Sequence, residues 1–155
     1  GDRKPFPVVQ TPFDDVQGQF SPDGRSLAYA SDETGRYEIY IRPFRGTDSR
    51  WQVSTGGGIY PRWRRDGREL FFVTLDGRMM AAPIPLPRAD RLTPGQPVQL
   101  FATRLALGGN TGIGGVYSTP QYDVTADGRF LLNVTADDAP VPITVVLNWT
   151  AALKP

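Results

Sequence analysis

The chain has 155 residues, 39% of them hydrophobic and 11% aromatic, which is enough to bury a core in one ordinary domain. Seventeen basic and 16 acidic residues leave a net charge of +1, so the balance does not support nucleic-acid binding. The absence of Cys and His excludes disulfides, Cys/His zinc sites, thiol nucleophiles and His-based triads.

The first unit of the chain is a run of short predicted strands. Residues 6–11 form a single apolar segment that is predicted to be a strand, and residues 16–54 follow as a four-stranded unit. Asp23-Gly24 separates the first two strands of this unit. Such a pair is typical of a tight antiparallel turn, because Gly accepts a positive φ and the Asp carboxylate accepts hydrogen bonds from nearby amides. The third and fourth strands are predicted over 37–42 and 50–54.

The same unit recurs twice along the chain. Residues 59–101 form the second copy, and residues 116–150 form a third copy that lacks its fourth strand; residues 102–115 are a Gly-rich insertion between them. The Asp residues of the three turns are 43 and 61 positions apart, and the first spacing matches the roughly 40–45 residues of a four-stranded propeller blade. We therefore predict that six residues have a structural role in the turns: Asp23, Gly24, Asp66, Gly67, Asp127 and Gly128.

The repeat also resembles a known family. Phe-Ser-Pro-Asp-Gly-Arg-Ser-Leu-Ala-Tyr-Ala-Ser at residues 20–31 is similar to the repeat of TolB-type, WD-like β-propellers. Residues 142–150 resemble the tail of bacterial multidomain proteins in which such a propeller follows a kinase domain and a membrane span. The resemblance implies an all-β fold of three four-stranded antiparallel blades, half of a six-bladed propeller. It also implies a periplasmic or extracellular location, with a cytoplasmic one left open.

Three blades do not make a closed ring, since propellers typically have about four to eight. The open faces at both ends are apolar patches that favour association. One interpretation is a homodimer that completes a six-bladed ring, in which residues 6–11 supply the outer strand of the partner's last blade and pair with residues 143–149. The other is that the remaining blades belong to a longer chain. We expect no direct membrane insertion, because no apolar run approaches the ~20 residues of a membrane helix.

The sequence offers no convincing catalytic constellation. Its serines have no His or evident Lys base, and the adjacent acids Asp14-Asp15 and Asp137-Asp138 point apart on a turn. Residues 108–115 are rich in Gly but lack the Gly-Lys-Ser/Thr of a phosphate-binding loop. We therefore expect neither enzymatic activity, nor a cofactor, nor a metal.

The favoured function is protein or peptide interaction, or scaffolding, as the sensory or binding part of a larger bacterial protein. The alternative is an accessory substrate-binding propeller domain of a hydrolase or peptidase. In a propeller the first strand of each blade lines the central channel, so its residues and entry loops form a rim suited to partner recognition. On this ground the predicted contact residues are Gln17, Tyr60, Arg62, Tyr122 and Asp123.

Overall fold

A computed structural model describes residues 4–45, 49–85, 92–105, 120–134 and 145–146, the last pair as backbone. These residues contain eleven strands and no helix. The strands of the first sheet are β1 (Asp15–Phe20), β2 (Ser26–Ser31), β3 (Glu38–Pro43) and β4 (Trp51–Gln52). Those of the second are β5 (Ile59–Trp63), β6 (Glu69–Val73), β7 (Arg78–Pro83) and β8 (Val98–Ala102). Those of the third are β9 (Tyr122–Val124), β10 (Phe130–Leu132) and β11 (Val145–Val146).

Each sheet is an antiparallel meander in which consecutive strands are neighbours. The first two sheets have four strands, and the described part of the third has three. The all-β prediction and its antiparallel four-stranded blades are confirmed, and we call the sheets blades 1, 2 and 3. Residues 106–115 of the Gly-rich insertion, Asp137-Asp138 and residues 147–150 lie outside the described residues.

The blades stack face to face, and the two seams between them are the core of the protein. Between blades 1 and 2, strands β2 and β3 contribute Ala28, Ala30, Ile39 and Ile41, and blade 2 contributes Leu70, Phe72 and Ala82. Between blades 2 and 3 the seam includes Phe71, Val73, Met79 and Phe130. Because blade 2 is covered on both sides, four consecutive residues of β6, from Leu70 to Val73, are buried although their side chains alternate in direction.

The Asp-Gly turns connect the first two strands of each blade. Their glycines have φ values of +68°, +71° and +83°, which lie in the region that only Gly adopts at low cost: Gly24, Gly67 and Gly128. Each of these glycines donates its N–H to the carbonyl three residues earlier, at 2.8 to 3.0 Å. The Asp23 and Asp66 carboxylates also accept a backbone N–H two residues further on, at 3.1 and 2.9 Å. The turn residues therefore satisfy the backbone of each hairpin with local hydrogen bonds alone.

The third hairpin is one residue shorter than the first two. Phe20 pairs with Leu27 and Trp63 with Leu70, but Val124 pairs with Phe130. A shift of one residue moves a side chain to the opposite face of the sheet. Phe130 consequently occupies the position of Leu27 and Leu70, although the sequence repeat aligns those two leucines with Leu131. Phe130 is buried against Phe71, with ring centroids 5.0 Å apart, while Leu131 is 47% exposed on the other side.

A buried carboxylate fixes the connection from blade 1 to blade 2. Glu38 is 1% exposed and accepts hydrogen bonds from Arg36 Nε at 2.8 Å, from the Gly57 N–H at 2.9 Å, and from the Ser54 hydroxyl. Three donors satisfy this charge, as burial requires. A Cβ added at Gly58 would lie 2.7 Å from Ile39 Cγ1, so the chain passes between the blades at a point where only Gly fits.

Residues 6–11, predicted as an outer strand, form no strand within this chain. Val8 and Val9 pack instead against Leu27, Tyr29 and Tyr40, on the side of blade 1 that faces away from blade 2. Pairing of this segment with the last blade of a partner stays a prediction.

We expect Gly24→Ala to lower the free energy of unfolding by about 1 kcal/mol, because an L-residue is strained at positive φ. A Cβ at Gly24 meets nothing within 4 Å, so the substitution isolates this conformational cost. Gly56 is the matched control, since its added Cβ also meets nothing and its φ lies outside the left-handed region. Urea denaturation should show a loss for Gly24→Ala only; equal effects at both sites would contradict the turn assignment.

Candidate channel rim

The first strands of the three blades lie side by side, β1 next to β5 and β5 next to β9. Strands β1 and β5 each contain a bulge at the same position of the repeat, where Gln17 and Tyr60 have φ values of +61° and +56°. The register breaks between Val16 and Gln19 and again between Ile59 and Arg62. A positive φ is uncommon for residues other than Gly, and bulges redirect backbone groups away from the ladder.

The neighbouring blades use the groups that the bulges redirect. The Tyr60 N–H donates to the Gln17 side-chain oxygen of blade 1 at 2.5 Å. The Tyr60 carbonyl accepts the Tyr122 hydroxyl of blade 3 at 2.8 Å. The bulge at Tyr60 is therefore bonded on both sides, and the three inner strands are linked into one polar chain of hydrogen bonds that offsets the backbone strain.

The two tyrosines of the predicted contact set are core residues. Tyr60 is 1% exposed and Tyr122 is 4% exposed, both in the seam between blades 2 and 3. Burial raises the pKa of Tyr122 well above its ordinary value, with the positive charge of Arg62 acting in the opposite direction. From this position the two tyrosines stabilise the backbone of the rim. The other three predicted contact residues are not buried: Gln17, Arg62 and Asp123.

Arg62 and Asp123 occupy the same repeat position in adjacent blades and face each other. Arg62 Nε lies 3.8 Å from Asp123 Oδ1, and the two side chains are 15% and 77% exposed. Because Asp123 is exposed and the separation is long, the pair contributes only about 0–1 kcal/mol to stability. Asp123 also accepts the Val124 N–H at 2.8 Å. The pair therefore places one guanidinium and one accessible carboxylate on the rim at little cost to the fold.

Two further residues of this polar row, Gln19 and Gln121, were not among the predicted contact residues. Gln121 holds in blade 3 the repeat position of Gln17 and Tyr60, and it binds Asn133 through its side-chain oxygen at 2.7 Å and its carbonyl at 2.9 Å. The Gln19 carbonyl accepts the Trp63 indole N–H at 3.0 Å across the first seam. Both lie at fixed offsets before the Asp of their turn, six residues for Gln121 and four for Gln19, so the repeat spacing is the signal that identifies them.

No cluster of three or more Asp or Glu side chains in the described parts of the chain is arranged to hold a metal ion. Within the same residues, no helix is long and apolar enough to cross a membrane.

Comparison with protein families and with curated proteins finds no match to this sequence. Solved structures do match. TolB from Acinetobacter baumannii is similar over 92% of this chain and 43% of its own, with 17% identity and a TM-score of 0.52. The fold is that of β-propeller blades. An oligogalacturonate lyase from Vibrio parahaemolyticus matches over 81% of this chain and 32% of its own, with 15% identity and a TM-score of 0.49. The chain thus spans less than half of either structure, and the likeness concerns the fold alone.

Tyr122→Phe should destabilise the protein by about 1–2 kcal/mol, because it leaves the buried Tyr60 carbonyl without its donor. Tyr37→Phe is the control: its hydroxyl binds Asp14 at the surface, where water replaces the lost partner. Chemical denaturation of both variants tests the difference. A Tyr122→Phe protein as stable as the Tyr37→Phe protein would remove the proposed coupling between blades 2 and 3.

Alkaline pH should weaken the same seam. Since burial holds Tyr122 neutral, its pKa in the folded state is raised above the ordinary value of 10.0. The contribution of Tyr122 to the free energy of unfolding is complete below pH 10.0, the ordinary pKa of the unfolded chain. It is lost as the pH rises above that value, because the unfolded chain then releases a proton that the folded chain retains. Denaturation midpoints at about pH 9 and about pH 11 should differ less for Tyr122→Phe than for the wild type; an unchanged difference would oppose this assignment.

Proposed function

We propose that this chain is a non-catalytic propeller module that binds a protein or peptide at its channel rim. It would serve as the sensory or scaffolding part of a larger bacterial protein. The observation that carries the proposal is the polar row along the inner strands, in which Gln17, Arg62 and Asp123 lie on a backbone held by hydrogen bonds between the blades.

The chemistry of the row suits a peptide backbone. Arg62 offers a planar set of donors and Asp123 offers acceptors, beside a Gln17 side chain whose oxygen accepts the Tyr60 N–H. A peptide in extended conformation presents alternating N–H and C=O groups that such a set pairs with. The groups are held by β-strands and not by loops, so binding costs little conformational entropy in the module itself.

The rim contains no group suited to covalent chemistry among its described residues. Its charged members are one guanidinium and one carboxylate that neutralise each other, and its tyrosine hydroxyl is engaged with the Tyr60 carbonyl. These features support binding over catalysis. An extracytoplasmic location is part of the proposal, and its support is the resemblance of residues 142–150 to the tail of bacterial proteins in which a propeller follows a kinase domain and a membrane span.

The test is a peptide selection against the purified 155-residue chain, followed by calorimetry on the selected peptides. Arg62→Ala and Asp123→Asn should each weaken binding by about tenfold or more, as expected for a central polar contact. The control pair is Arg78→Ala and Asp76→Asn, which removes an exposed ion pair of the same kind, 3.0 Å long, on the turn between β6 and β7.

The controls should leave the affinity unchanged. Selection of no peptide, or of peptides whose affinity is equally insensitive to the rim and control substitutions, would count against the channel rim as the binding site.

A further inference from the structure

One side of blade 1 is built like the seams between blades. This leading face, on the side away from blade 2, is formed by Phe20, Leu27, Tyr29 and Tyr40. The strand registers align these residues with blade 2 side chains that pack against blade 1: Trp63, Leu70, Phe72 and Met80. The leading face of blade 1 therefore has the composition and position of a surface that receives another blade.

The N-terminal segment already lies where the fourth strand of a preceding blade would be. At the first seam, Trp51 of β4 and the adjoining Val53 pack onto the leading face of blade 2. Val8 lies 43 residues before Trp51, one full repeat, and together with Val9 it packs onto the leading face of blade 1. The segment thus packs on the leading face of blade 1 as β4 packs on the leading face of blade 2.

The segment nevertheless forms no strand, and within the described residues no strand edge pairs with it. Adjacent residues of a strand point to opposite faces, whereas Val8 and Val9 both contact the same face. The cover is also incomplete: Phe6 and Phe20 are 61% and 53% exposed. On the same blade, the buried Ser31 hydroxyl has no hydrogen-bond partner among the described residues.

The opposite end of the chain shows the complementary deficit. Leu131 occupies the repeat position of Ala28 and Phe71, which are fully buried in the first and second seams. In blade 3 the same position is 47% exposed, and within the described residues no further blade packs against it. Within the described residues, moreover, β11 is the outermost strand of blade 3 and no strand pairs with its outer edge. The leading face of blade 1 and residues 6–11 have the composition of the two elements that blade 3 lacks here: a neighbouring blade face and a fourth strand.

We propose that a second copy of this chain supplies both. The trailing face of blade 3, marked by Leu131, packs on the leading face of blade 1 of the other copy. Residues 6–11 of that copy pair with the outer edge of β11 as the fourth strand. Since each end fits the other, a two-fold axis generates two identical seams and closes a ring of six blades. Closure buries the apolar ends and removes the open strand edge at once.

Sedimentation and light scattering on the 155-residue chain test the proposal, with a dimer expected at micromolar concentration. Leu131→Asp places a charge in the new seam and should raise the dimer dissociation constant by about tenfold or more. Leu75→Asp is the matched control, because Leu75 is 40% exposed on the turn between β6 and β7, outside the proposed seam. Both variants are exposed-site changes, and circular dichroism verifies that both fold.

A cysteine pair identifies which faces meet. Because the chain contains no Cys, Phe20→Cys in one preparation and Leu131→Cys in another give a clean background. The equivalent pairs, Ala28 with Trp63 and Phe71 with Val124, share the existing seams. Mixing the two preparations under oxidising conditions should link unlike chains, and replacing Leu131→Cys by Leu75→Cys should not.

A monomeric wild type would overturn the proposal and favour upstream blades of a longer chain as the occupant of the leading face. A dimer unaffected by Leu131→Asp, or a Phe20→Cys chain that links equally to both cysteine partners, would also overturn it, because the copies would then meet elsewhere.

Discussion

Every feature of this protein depends on the packing of one β-sheet face against another. A four-stranded meander with apolar residues on both faces cannot bury them by itself. In β6, four consecutive residues are buried because a neighbouring blade covers each face. The same requirement explains the close passage at Gly58, where the chain crosses between blades 1 and 2. It also explains why Phe20 and Leu131 are exposed, since within the described residues no further blade packs on the outer faces of blades 1 and 3.

Backbone strain at the centre of the molecule is part of the same arrangement. Among the residues that the structure describes, two other than Gly adopt a positive φ, and both lie in bulges of inner strands. Such conformations persist only where the surroundings hold them. Here the neighbouring blades do so, since Gln17 and Tyr122 bind the backbone of Tyr60 from either side. The hydrogen bonds between the blades therefore also hold the backbone of the candidate rim.

Under the proposed ring closure, partner recognition would depend on that same geometry. A single chain presents a row of polar groups along three inner strands, which is an open arc. Closure by a second copy would place the same row on the opposite side of the channel and create two related binding surfaces facing each other. Such an arrangement would recognise a segment that enters the channel, or two copies of one partner, through effective concentration as well as through direct contacts.

The sequence by itself determined the turns, most of the strands and the stacking principle, because these depend on local chemistry. Asp-Gly pairs at a fixed offset from apolar runs define hairpins whatever surrounds them, so the all-β class and the four-stranded blades followed from the repeat. Only the tertiary structure decided which side chain of a strand faces which blade. The third hairpin is one residue shorter. Phe130 is therefore buried and Leu131 exposed, although the sequence repeat aligns Leu131 with the buried Leu27 and Leu70. The burial of Tyr60 and Tyr122 likewise arises from bulges and from contacts between residues 62 positions apart, which no local pattern encodes. Residues 6–11 have the composition of a strand but do not form one in this structure. A strand requires a neighbouring edge with which to pair. That edge depends on the assembled sheet and cannot be read from the segment.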